Sequence, residues 1–225
     1  MYRACIFDLD GTLVNTLYSI AYFSNEALKQ LGYPTIEAES YRKIVGDGAD
    51  MQIHRMLTAV SAGKAFTEQE ATKLKEIYFQ LYEANPIHLV REYPGMRETL
   101  LELKKADIPT AVLSNKPDAW TKAIISTLFP KESFELCFGQ RPGIPRKPSP
   151  AGALTIADQF QINPKDILYI GDTNTDMQTG KNAGMDTAGV LWGFRDRKEL
   201  EENGATYLLD APNRILAVVN HKGKV

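Results

Sequence analysis

The feature that most restricts what this chain can become is its opening, Ala4-Cys5-Ile6-Phe7-Asp8-Leu9-Asp10-Gly11-Thr12-Leu13, an apolar run that ends in two acids one position apart and then Gly-Thr. The run reads as a buried strand breaking into a polar turn, so charge sits where a core strand stops. In an open α/β sheet, ligands bind at the carboxyl ends of the strands, which puts Asp8 and Asp10 beside a crevice. Residues of like parity share one side of an extended chain, and the two carboxylates are expected to point the same way. Acids that close repel unless a proton or a cation joins them. A hard, oxygen-seeking ion such as Mg2+ suits them, because it keeps several waters and needs only one or two carboxylates plus a phosphate oxygen. Taken alone, the same residues could also be a helix cap and a turn.

Beyond Val14 the pattern turns helical. Leu17, Ile20, Ala21, Ser24, Ala27, Leu28 and Leu31 recur at helical spacing until Gly32 and Pro34. A short helix is expected around Met51–Val60 after Gly46-Asp47-Gly48, and Thr67-Glu68-Gln69-Glu70 reads as a capping box opening a longer one that Asn85-Pro86 stops. From Tyr93-Pro94-Gly95 onward strands and helices alternate, with strands expected at Thr110–Leu113, near Leu136–Phe138, and at Ile167–Ile170, Thr187–Leu191 and Tyr207–Leu209. Alternation of this kind predicts an α/β fold, a Rossmann-like parallel sheet covered on both faces, with an inserted α-helical cap. The expected core is residues 1–14 and 86–225, and the expected helical cap is residues 15–85.

Three further polar sites each follow a predicted strand. Ser114-Asn115 follows Thr110–Leu113, and a hydroxyl there can bond a phosphoryl oxygen without adding charge. Lys147 stands in Pro145-Arg146-Lys147-Pro148-Ser149-Pro150, where prolines fix the backbone around an ammonium that would offset repulsion between a carboxylate and a phosphate. Gly171-Asp172-Thr173-Asn174-Thr175-Asp176 follows Ile167–Ile170, with Asp172 at the turn and Asp176 four residues on, in the first helical turn. Each site alone also reads as a cap, a surface charge or a helix start. Four in order, each after a strand, point to one shared crevice.

Asp8-Leu9-Asp10-Gly11-Thr12-Leu13, Ser114-Asn115, Lys147-Pro148-Ser149-Pro150 and Gly171-Asp172 to Asp176 together resemble the four motifs of the haloacid dehalogenase-like hydrolase superfamily in its phosphatase form. Val45-Gly46-Asp47-Gly48, Tyr93-Pro94-Gly95, Val190 to Arg195 and Asn203 to Asp210 extend the likeness to the phosphoglycolate phosphatase-like branch, over nearly the whole chain. The resemblance implies a helical cap inserted after the first motif and a Mg2+-dependent phosphatase working through an aspartyl phosphate. It implies Asp8 as nucleophile and Asp10 as general acid and base, with Ser114 and Lys147 on the phosphoryl group. Mg2+ is then held by Asp8, the Asp10 backbone carbonyl and Asp172, with Asp176 in support. Thr12, Gly46 and Asn115 are the implied substrate contacts, Thr12 by orienting Asp10. Asn15 departs from the branch, where an Asp is usual. Phosphoglycolate is the expected substrate, with pyrophosphate, nucleotides and sugar phosphates as alternatives. A phosphomutase is disfavoured because Leu17–Leu31 holds no His, and a dehalogenase because Asp10 is an acid. A phospho-ligand-binding regulator is the remaining rival.

The net charge of -2 gives no electrostatic case for nucleic acid or an acidic membrane surface, and the resemblance implies a small phosphorylated metabolite as the partner. Cys5 and Cys137 lie in apolar stretches and no opening signal segment is visible, from which reduced thiols and a cytoplasmic location are expected. Arg42, Lys43 and Arg55 read as helix charges or as a carboxylate clamp, and His54, His88 and His221 as structural or exposed. Lys222–Val225 is expected to fray. Nothing in the pattern decides between monomer and homodimer.

Overall fold

The computed structural model describes residues 1–61 and 63–221, so the expected frayed tail lies outside the described residues. β1 (Ala4–Phe7) is buried on both faces, as a central parallel strand requires. The chain then turns sharply. The Leu9 carbonyl accepts from the amides of Thr12, Leu13 and Val14 at 3.3, 3.1 and 3.1 Å before β2 (Val14–Asn15) begins. Helices follow: α1 (Leu17–Gln30), α2 (Tyr41–Ile44), α3 (Ala49–Val60) and α4 (Glu68–Ala84). α4 opens on the expected capping box, Glu70 N donating to Thr67 Oγ1 at 3.2 Å and Thr67 N to Glu70 Oε2 at 2.7 Å.

β3 (Arg91–Glu92) leads into strict alternation: α5 (Met96–Lys105), β4 (Thr110–Pro117), α6 (Asp118–Leu128), β5 (Leu136–Gln140), α7 (Ala151–Phe160) and β6 (Ile167–Gly171). α8 (Asn174–Asn182), β7 (Asp186–Val190), α9 (Arg197–Glu202), β8 (Tyr207–Leu209) and α10 (Arg214–Asn220) complete it. The six-stranded sheet runs β5-β4-β1-β6-β7-β8 with every neighbour parallel. On one face Ala4, Ile6, Ala111, Leu113, Ile167 and Tyr169 pack with Ile156 and Ala157 of α7, which is the period-two burial of the strands meeting the apolar stripe of a helix.

Phe7 stands opposite Val112 on one side and Ile170 on the other. Register therefore brings Asp8, Ser114 and Asp172, each one or two residues further on, to a single sheet edge.

Two expectations need correction. β4 does not stop at Leu113 but continues through Ser114, Asn115 and Lys116 to Pro117, with an irregularity in its pairing to β5 between Leu113 and Pro117. Two short strands were also missed: β2 and β3 pair antiparallel, Val14 opposite Glu92 and Asn15 opposite Arg91. The chain forms two compact units, Met1–Asn15 with Arg91–Val225, and Thr16–Val90. The first unit thus claims Asn15, and the second keeps residues 86–90, because the β2–β3 pair holds both chain ends on the core side.

Within the Thr16–Val90 unit, Arg42 pairs with Glu39 at 2.7 Å. Arg55 bonds both Asp47 at 2.5 Å and the Ile44 carbonyl at 3.0 Å, which ties down the loop that holds Gly46 at φ +117°. His88 stacks against Tyr22 and Phe23, and His54 against Phe66.

Candidate active site

Asp8 is 6% exposed and follows β1 directly. Lys147 Nζ approaches its Oδ1 to 2.8 Å as an ion pair, and the same ammonium donates to Asp176 Oδ1 at 2.7 Å. Asp8 Oδ1 is buried with the Lys147 ammonium as its counter-ion, in a geometry short of an aligned hydrogen bond.

Asp172 is fully buried and its carboxylate is held by two donors. Phe194 N donates to its Oδ2 at 2.7 Å and Thr12 Oγ1 to its Oδ1 at 3.3 Å. Around it the backbone closes in: a Cβ on Gly11, whose φ is +85°, would fall 2.1 Å from Asp172 Oδ2, and one on Gly193 would fall 2.2 Å from Asp172 Cβ. At those two positions a side chain would collide with Asp172. Asp176 sits in the first turn of α8, where its Oδ2 accepts from Thr173 N at 3.1 Å and from Thr173 Oγ1 at 2.7 Å. This second capping box fixes one oxygen and leaves the other for Lys147.

Oxygens of Asp8, Asp172 and Asp176 all lie within 4.8 Å of one another, and all three residues are buried. The cost shows in their protonation. Burial first, then the Asp176 charge, pushes the Asp8 carboxyl up from its ordinary 3.8 to about 7, with Lys147 opposing. Burial, with Asp176 and Asp8 adding, drives Asp172 well above the carboxylate range. Burial works against the Lys147 ammonium, but Asp176 and Asp8 hold its proton on more firmly than in water. One ammonium against three carboxylates leaves a deficit that a divalent cation would cancel. The donor set fits such an ion: oxygen only, closely grouped and backed by glycine.

Ser114 is buried and its Oγ accepts from Lys116 N at 3.2 Å. Asn115 clasps the Lys147 main chain, its Oδ1 accepting from Lys147 N at 2.9 Å and its Nδ2 donating to Lys147 O at 3.2 Å. Gly46 lies in the Thr16–Val90 unit, between α2 and α3.

Asp10 has a cation of its own, and its charge also acts on Asp8. The strand ends at Phe7, so period-two alternation does not reach Asp10. Its carboxylate is paired with Lys116 Nζ, 3.1 and 3.3 Å from the two oxygens, and the carboxylates gathered with Asp8 are Asp172 and Asp176. Thr12 likewise supports Asp172 rather than Asp10, and its carbonyl accepts from Trp192 Nε1 at 3.1 Å. Lys116, Gly193 and the Phe194 amide were not expected at the site. Ser114-Asn115-Lys116 carried a signal, three polar residues ending a buried strand, whereas a backbone amide carries none.

The parallel sheet and this grouping at its carboxyl edge define a class, and a model of the haloacid dehalogenase-like hydrolase family matches residues 5–190. The chain belongs to that family. It is 28% identical to a phosphoglycolate phosphatase of Vibrio parahaemolyticus serotype O3:K6 over 95% of this chain and 94% of that one. It is 29% identical to a phosphoglycolate phosphatase of Mannheimia succiniciproducens over 95% and 96%. The crystal structure of a predicted phosphoglycolate phosphatase from Haemophilus somnus 129PT superposes with a TM-score of 0.89 at 29% identity, covering 96% of this chain and 97% of the other.

Proposed function

We propose that this chain is a Mg2+-dependent phosphatase that hydrolyses a small phosphomonoester through an aspartyl phosphate on Asp8, with phosphoglycolate the best-supported substrate. The observation that carries the reading is the Asp8 carboxylate, buried with a lysine and two further acids at the end of a central strand. The name shared by the relatives supports the choice of substrate.

An Asp8 oxygen attacks phosphorus as the ester P–O bond breaks, and Asp10 gives its proton to the leaving alkoxide. Asp10 then takes a proton from a water that attacks the same phosphorus, releasing phosphate and restoring Asp8. The Ser114 hydroxyl donates to a phosphoryl oxygen. Lys147 offsets the repulsion between Asp8 and the incoming dianion, and Asn115 keeps its backbone in place. Asp8 and Asp172 would hold Mg2+ together with the Asp10 carbonyl, Asp176 supporting from Lys147, and the ion would keep Asp8 ionised and neutralise phosphoryl charge. The Thr16–Val90 unit is read as the cap, with Gly46 in its substrate-contacting loop. Two unpaired cysteines suit a reducing cytoplasm.

Asp8→Asn is expected to abolish release of inorganic phosphate from phosphoglycolate with Mg2+ while the circular dichroism spectrum is retained. Full activity in that variant would remove the nucleophile. A panel of phosphoglycolate, pyrophosphate, nucleoside monophosphates and sugar phosphates, compared by kcat/KM, tests the substrate. A higher value for any rival transfers the assignment to it, and a sugar phosphate isomerised without phosphate release would favour a mutase.

A further inference from the structure

We infer that Lys116 is a positioning residue that fixes the Asp10 carboxylate for proton transfer, so that the site holds two lysines with divided duties. The inference rests on the proposed acid–base role of Asp10.

The side chain of Lys116 is 4% exposed and that of Asp10 is 21% exposed. Taking an ammonium that far out of water is costly, and a solvated surface pair would bring little in return, so the placement is not that of an incidental surface charge. Nζ lies 3.1 Å from one Asp10 oxygen and 3.3 Å from the other. Contact with both oxygens restrains rotation of the carboxylate about its own axis, which a contact with one oxygen would leave open. Proton transfer demands that restraint, because the same group must face a leaving oxygen and later a water.

The backbone supplies the aim. The pairing of β4 with β5 is irregular between Leu113 and Pro117, and irregularities of this kind re-aim side chains at strand ends. The turn so made is held at both sides of the residue: Lys116 N donates to Ser114 Oγ at 3.2 Å, and Lys116 O accepts from Thr121 Oγ1 of α6 at 3.3 Å. Lys147, on a different loop, faces Asp8 and Asp176. One ammonium therefore serves the nucleophile and the other the proton carrier.

The test is a double-mutant cycle on the full chain with Mg2+ and phosphoglycolate. Lys116→Met keeps the length of the side chain, and the part-exposed Asp10 can rehydrate. It is expected to lower kcat by roughly 10- to 100-fold with KM within about twofold, and Lys116→Arg is expected to fall between it and the wild type. In the Asp10→Asn background, which itself should lose roughly 100- to 10,000-fold, adding Lys116→Met should change kcat by less than about threefold. Losses that multiply, a KM effect that dominates, or an unchanged kcat in Lys116→Met would each overturn the inference. If Asp10→Asn turns over like wild type, the acid–base reading falls with it; if Asp10→Asn is inactive and Lys116→Met is not impaired, only the role of Lys116 falls. Should Lys116→Met not fold, Lys116→Arg with and without Asp10→Asn supplies the same comparison, several-fold slowing alone supporting the inference and an additive loss refuting it.

Discussion

Asp8 carries a penalty that the folded chain does not relieve by itself. Its unfolded form releases a proton near 3.8 and its folded form near 7, so between these values the folded state binds more protons and rising pH weakens folding. Without Mg2+, in EDTA, stability should therefore decline from about pH 4 to about pH 7, and the lost increment stays lost above that window. Asp8→Asn removes the titrating group. At pH 8 in EDTA the variant should melt above the wild type, with the gap closing toward pH 4. A wild type that melts higher than the variant at pH 8 would refute this. Gly11 poses the opposite problem: Gly11→Ala would need a positive φ and put a methyl group against Asp172, so loss of phosphate release together with a lower Tm is expected.

The elements were legible to different degrees, for physical reasons. Strands whose residues are apolar on both faces, such as Ala4–Phe7 and Ile167–Gly171, announce themselves, and so do caps with a side-chain signature such as Thr67 with Glu70. Two-residue strands such as Val14–Asn15 are too short to show a period. Lys116 escaped because the strand was judged to end where the apolar run ended, and a strand bearing functional groups outlasts its apolar run. Asp8, Ser114 and Asp172 were legible because each follows such a run within two residues, and Lys147 and Asp176 because a proline-fixed loop and a helix start set them apart. The Phe194 amide was not, since every residue but proline carries one. The α4 cap is separable from the chemistry: Thr67→Ala should cost about 1 kcal/mol in urea denaturation and leave kcat within about twofold. A large kcat loss with stability intact would show that the cap residue does more than start a helix.

At the scale of the molecule, buried acids at one sheet edge link folding to ion supply. On the proposed function Mg2+ binds the folded chain and not its unfolded form, so at 100 times its Kd it is expected to stabilise by about 2.7 kcal/mol, read as a Tm shift that Asp172→Asn abolishes. A shift that survives in that variant would place the ion elsewhere. The β2–β3 pair has a consequence of another kind. Val14 opposite Glu92 and Asn15 opposite Arg91 bring the departing and returning chain through one doorway, so everything from Thr16 to Val90 hangs on a pair of threads that already lie side by side. Such a segment can be lengthened, shortened or exchanged by splicing at that doorway without re-routing a single strand of the parallel sheet, which leaves heredity free to vary one unit while the other keeps its form.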